Sequence, residues 1–179
     1  MNTRKINHIK LIVLALWIFF IPIAVRSENV IRITDSIQDL NISDQVYYVK
    51  DIEGKFSPSE VLSGRYDQNF MPHTGSSFGF GNLKASIWHT FKIVSQDDSR
   101  SAWLLVVDNH HLDSINFYTV SKDGAIHVER SGRMVPYNDR KYKYNTFAFE
   151  LPQSFGDTSV HYLKVSSYLF ELPDTHSSI

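Results

Sequence analysis

The chain has 179 residues, 42% apolar and 21% charged, with 18 Lys and Arg against 19 Asp and Glu and a formal net charge of −1. This is the composition of one globular domain, which excludes a wholly disordered chain, and it lacks the basic excess of a nucleic-acid binder. There is no cysteine, which excludes a disulfide scaffold, a thiolate zinc site, an iron–sulfur cluster and a cysteine nucleophile.

In chain order, Arg4, Lys5 and Lys10 come first, then Leu11 to Val25, a 15-residue run without a charge. Val25-Arg26-Ser27 follows, with modest side chains at the −3 and −1 positions of a cut after Ser27. This layout predicts a secretory signal peptide over residues 1–27. An uncleaved anchor is the alternative, although a membrane span needs about 20 apolar residues. Removing the leader leaves 14 Lys and Arg against 19 Asp and Glu, a net charge of −5. The mature part is therefore expected in the periplasm or at the cell surface.

From Val30 onward the pattern is almost all strand. Val30–Ile33 and Val46–Val49 are short apolar runs. Ser57-Pro58-Ser59-Glu60 is a capping box with Pro at the first helical position, and Gly64 lies past the end. It predicts one short helix over Ser57–Ser63. Residues 64–83 read as an irregular loop whose Phe70, Met71, Phe78 and Phe80 must pack on something. Ile87, Phe91 and Ile93 then alternate with Trp88, Thr90 and Lys92, and Ala102–Val107 has the continuous apolar pattern of a central strand. Ile115–Val120, a turn at Ser121-Lys122-Asp123-Gly124 and Ala125–Glu129 form a hairpin. Phe147–Leu151 and Val160–Val165 are further strands, and Tyr168–Leu172 begins another. Short strands with one short helix predict an all-β, antiparallel sandwich or jelly roll spanning residues 28–173, with a frayed polar tail at 174–179.

The motifs in this order resemble the type 2 extracellular domain of bacterial seven-transmembrane receptors with diverse intracellular signalling modules. The resemblance runs from about Tyr47 to Tyr168. It rests on Val49-Lys50-Asp51-Ile52-Glu53-Gly54, Phe56-Ser57-Pro58-Ser59-Glu60-Val61, Phe70-Met71-Pro72 and Ile87-Trp88-His89-Thr90-Phe91. Trp103–Val107, Asn109, Leu112–Tyr118, Asp123-Gly124, Gly132, Pro136-Tyr137, Arg140, Phe147–Pro152 and Tyr162–Ser167 continue it. It implies a jelly-roll β-sandwich similar to carbohydrate-binding modules and a sensory role outside the cytoplasmic membrane. The family's usual Arg two residues after the first Trp is Thr90 here. The sequence holds none of the seven membrane spans of a whole receptor, so it reads either as a truncated frame or as a free-standing module.

Three residues are candidates for ligand binding. Trp88 is opposite in phase to the apolar residues of its strand, so it points to the other face of the sheet; its aromatic face suits a sugar ring, and core packing is the alternative. Tyr137 and Arg140 sit in a basic, aromatic stretch with Arg133, Lys141, Tyr142, Lys143 and Tyr144, and Arg140 is the position that matches the family. The alternative is a solvated connection whose Arg pairs with an acid such as Asp113. Trp103, in its apolar run, is expected in the core. His110-His111 lacks a spaced third ligand and reads as a turn, so no metal is expected, nor any other cofactor. There is no Gly-x-Ser-x-Gly elbow and no phosphate-binding Gly-Lys loop. Asp97-Asp98 sit in a polar turn. The expected function is ligand sensing, with a carbohydrate as the candidate ligand, by a module that is not an enzyme. A glycoside-active jelly roll and an adhesive, protein-binding sandwich are the rivals.

Overall fold

Alternating apolar residues build the strands of a two-sheet arrangement. The computed structural model describes residues 29–74, 85–97, 102–152 and 155–167. The leader, the Phe78–Phe80 part of the long loop, the strand expected at Tyr168–Leu172 and the tail lie outside the described residues. The strands are β1 (Val30–Ile33), β2 (Tyr47–Asp51), β3 (Met71–Pro72), β4 (Ser86–Ser95), β5 (Trp103–Val107), β6 (Ser114–Val120), β7 (Ile126–Ser131), β8 (Phe147–Leu151) and β9 (Thr158–Ser166). The larger sheet runs β3-β2-β4-β9-β6-β7, and β5 and β8 form a smaller antiparallel sheet.

The ten-residue β4 is longer than its neighbour β2, which pairs only with residues 86–90. β1 fills the rest of that edge, from Val30 opposite Lys92 to Ile33 opposite Ser95. It runs parallel to β4, a departure from the all-antiparallel expectation. β1 and β2 lie end to end on this edge of β4 and run along it in opposite directions.

Successive side chains of a strand leave opposite faces of its sheet. In β4, Ile87, Phe91 and Ile93 pack with Phe117, Leu163 and Val165 toward Phe147, Phe149 and Leu151 of β8. This is the core between the sheets. Trp103, Leu105 and Val107 of β5 pack against it. Each such side chain, fully buried, contributes about 2–3 kcal/mol. Contrary to its expected central position, β5 pairs with β8 alone among the described residues. Its outward Val106 is 55% exposed, so an unbroken apolar run here marks an outer strand, not one covered on both sides.

The other face of the larger sheet carries a second core of Val49, Trp88, Tyr118 and Tyr162, capped by Val61 and Phe70. The helix α1 (Pro58–Leu62) delivers Val61. Ser57 caps it as the sequence predicts, accepting from the Glu60 N–H and donating to its carboxylate at 2.9 Å. The turn before α1 hangs on buried Asp51, whose carboxylate accepts from the N–H groups of Lys55 and Phe56 at 2.8 and 3.1 Å. The loop beyond α1 forms a 3-10 turn at Asp67–Asn69 and then β3.

Two buried histidines interrupt the inter-sheet core. His161 of β9 lies between the rings of Phe91 and Phe117, at centroid distances of 5.3 and 5.4 Å. Its nitrogens meet the Thr119 hydroxyl at 3.1 Å and the Ser159 hydroxyl at 2.8 Å. His89 of β4 approaches the Leu163 carbonyl at 3.4 Å. Burial pushes both imidazoles down to a pKa of about 4.

Candidate functional site

The connection from β7 to β8 begins at Gly132. Its φ is +116°, and a Cβ there would meet the Asp113 carbonyl oxygen at 2.5 Å. Only glycine allows this approach, and it lets the Arg133 and Met134 N–H groups donate to the Leu112 and Asp113 carbonyls, each at 2.9 Å. Pro136, already at a fixed φ, then leads into a 3-10 turn at Tyr137–Asp139.

That turn brings two of the predicted residues together. The Tyr137 hydroxyl donates to the Lys143 carbonyl at 2.8 Å while its ring stays 51% exposed. Arg140 donates from Nε to the Val135 carbonyl at 3.2 Å. Its guanidinium carbon lies 5.9 Å from the centre of the Tyr137 ring and 5.1 Å from that of buried Phe147. Arg140 is therefore held by rings and a carbonyl. Asp113, the acid expected to pair with an Arg of this connection, faces Arg133 at 3.6 Å.

Trp88 is elsewhere. It points to the far face of β4, as its phase predicts, but α1 and the following loop cover that face and Trp88 is fully buried. It stacks on Tyr118 at 5.5 Å, with the Lys164 ammonium 5.2 Å from its ring centre. Thr90, where the family usually has Arg, donates to the His161 carbonyl at 3.1 Å.

Beside Tyr137 and Arg140, Lys141 reaches Glu150 of β8 at 2.5 Å and Glu129 of β7 at 3.8 Å. The hydrogen bond that Lys141 donates to Glu150 raises the pKa of Lys141 and lowers that of Glu150. Tyr142 donates to Glu150 at 3.4 Å, and its ring lies parallel to that of Tyr144, 6.2 Å away. Desolvation, then the Glu150 charge, raises the Tyr142 pKa. Residues 127–130 of β7 line an open groove of about 600 Å³ with Val135, Asp139 and Lys141. The two acids were not singled out from sequence, because only the β7–β8 approach brings Glu129 to Lys141. A carboxylate held ionised by a lysine suits fixing a side chain rather than donating a proton.

His110 and His111 are exposed, and Asn109 accepts from the His111 N–H at 3.0 Å, the turn expected there. Among the described residues no group of three or more His, Asp or Glu is placed to hold a metal ion, and no helix is long and apolar enough to cross a membrane.

The described residues form a two-sheet, mostly antiparallel β-sandwich with an aromatic, cationic bend between β7 and β8. Residues 43–172 match the family described as 7TMR-DISM extracellular 2. The chain belongs to this family, and it is an extracellular, sensory type of receptor domain. No curated protein matches it.

Proposed function

We propose that this chain is the ligand-sensing part of a bacterial membrane receptor, exported to the periplasm or cell surface, and that it binds a small hydroxyl-rich ligand, a carbohydrate, at the Tyr137–Arg140 bend. The observation that supports this best is the fixed, half-exposed Tyr137 ring beside a guanidinium held by rings and a carbonyl. The ring offers a stacking face to the apolar side of a sugar, and the remaining guanidinium donors suit its hydroxyls. Exposed Tyr144 extends the same surface. Binding there biases how the domain sits on its membrane-embedded partner, by no more than the ligand's difference in affinity between the two arrangements.

The test is calorimetric titration with a panel of neutral mono- and oligosaccharides, on the wild type and on the Tyr137→Ala and Arg140→Met variants. We expect at least one saccharide to bind, and each variant to weaken it about tenfold, as truncation of an anchoring side chain does. Absence of binding across the panel, or equal binding by all three proteins, would overturn the reading.

A further inference from the structure

We infer a second ligand site, for an oxyanion group, on the face of the larger sheet that carries Trp88. The register places Trp88, Lys164, Asn116 and Arg130 in one row across β4, β9, β6 and β7. Alternation puts all four side chains on the same face. Trp88 is buried at one end, Lys164 and Asn116 are half-buried, and Arg130 is exposed at the other end.

The row has donors in excess. The Trp88 indole N–H is buried and has no hydrogen-bond partner among the described residues. Neither Lys164 nor Arg130 has a carboxylate within ion-pair distance among them, although acids outnumber bases in the chain as a whole. Most lysines and arginines on such a surface would find an acid or face solvent alone. Here two stand either side of an amide, on strands about 10 Å apart at the usual spacing. The Lys164 ammonium rests over the Trp88 ring, and its side chain is long enough to swing across and meet Arg130 over Asn116. Arg130 is also close enough to Tyr118 of the neighbouring row to offset part of the effect of burial on that phenol.

An oxyanion over Asn116 would take charge-assisted hydrogen bonds from both cations and one from the amide. Val128 and Ile126 of β7, both exposed large apolar residues on the same face, border the row and suit an apolar portion of the same ligand. The shared chemistry is that of a carboxylate, sulfate or phosphate on a small soluble molecule. Arg130 also lines the groove that Val135, Asp139 and Lys141 border beside the Tyr137–Arg140 bend, so variants tell the two tests apart: Lys164→Met should leave saccharide binding unchanged, and Tyr137→Ala should leave the oxyanion signal unchanged.

The experiment titrates the full chain with glucuronate, inorganic sulfate and inorganic phosphate in turn, with chloride at matched ionic strength as the control. Trp88 beneath Lys164 supplies a fluorescence signal, and amide shifts at Asn116 and Lys164 supply a second. We expect a saturable change with at least one probe, absent with chloride and weakened about tenfold in Lys164→Met and in Arg130→Gln. Methionine keeps the apolar stem over Trp88, so an unchanged melting temperature shows that Lys164→Met still folds. The probe that binds most tightly assigns the group. No saturable change with any probe, or equal binding by the wild type and both variants, would overturn the site.

Discussion

Acidification should unfold this domain through His89 and His161. Burial holds both near a pKa of about 4, whereas an imidazole in the unfolded chain titrates near 6.5. Between these values the unfolded chain binds more protons, so stability is full above pH 6.5 and falls as pH drops toward 4. Integrated from pH 7 to 5, the loss is about 2 kcal/mol for each histidine and about 4 kcal/mol for the pair. That is a large part of an ordinary domain's 5–15 kcal/mol. His161 has no room to escape, with Phe91 and Phe117 against its two faces and a hydroxyl near each nitrogen. The assay is urea unfolding at half-unit steps from pH 8 to 5, a window above most carboxylate titration. With a slope of about 2 kcal/mol/M, the midpoint should fall by roughly 2 M between pH 7 and 5. His161→Gln and His89→Gln should each remove about half of that pH dependence. A midpoint that stays flat over this range, or a double variant as pH-sensitive as the wild type, would refute the reasoning.

Gly132→Ala should cost more than Gly124→Ala, although both positions have positive φ. The first adds a collision with the Asp113 carbonyl to the backbone strain of about 1 kcal/mol, whereas the second meets nothing within 4 Å; equal melting temperatures would contradict this. Phe149→Ala, in the inter-sheet core, should destabilise by about 3–5 kcal/mol. Val106→Ser, on the exposed side of β5, should change stability by no more than about 0.5 kcal/mol, and denaturant midpoints compare the two. Ser57→Ala should cost about 1 kcal/mol through loss of the α1 cap, read in the same way.

Local chemistry was the legible part. The capping box at Ser57–Glu60, the Asp123-Gly124 turn and the alternation along β4 each specify their conformation over a few residues, and each appears in the structure as its sequence reads. Alternation also placed Trp88 opposite Ile87 and Phe91. It carried no information on what covers the far face, because Val61 and Phe70 reach Trp88 only through the path of the loop around α1. The apolar run of β5 reads as a central strand, yet Trp103, Leu105 and Val107 are only partly buried against the core and β5 pairs with β8 alone among the described residues. Apolar continuity does not fix how many neighbours a strand has. At the candidate site, Tyr137 and Arg140 are three residues apart, so one turn suffices to join them. The Lys164–Asn116–Arg130 row spans three strands, and its alignment exists only once the register of β9, β6 and β7 is set.

A strand buried on both faces leaves little room for sequence drift. Trp88 and His89 are chain neighbours that serve different interiors, and β9 repeats the arrangement with His161 and Tyr162. Inserting or deleting a single residue in the middle of β4 would reverse the orientation of the rest of the strand and spoil both interiors together. Length changes among descendants of this sequence should therefore collect in the turns at Ser121–Gly124 and beyond Tyr137, while β4 and β9 keep their lengths.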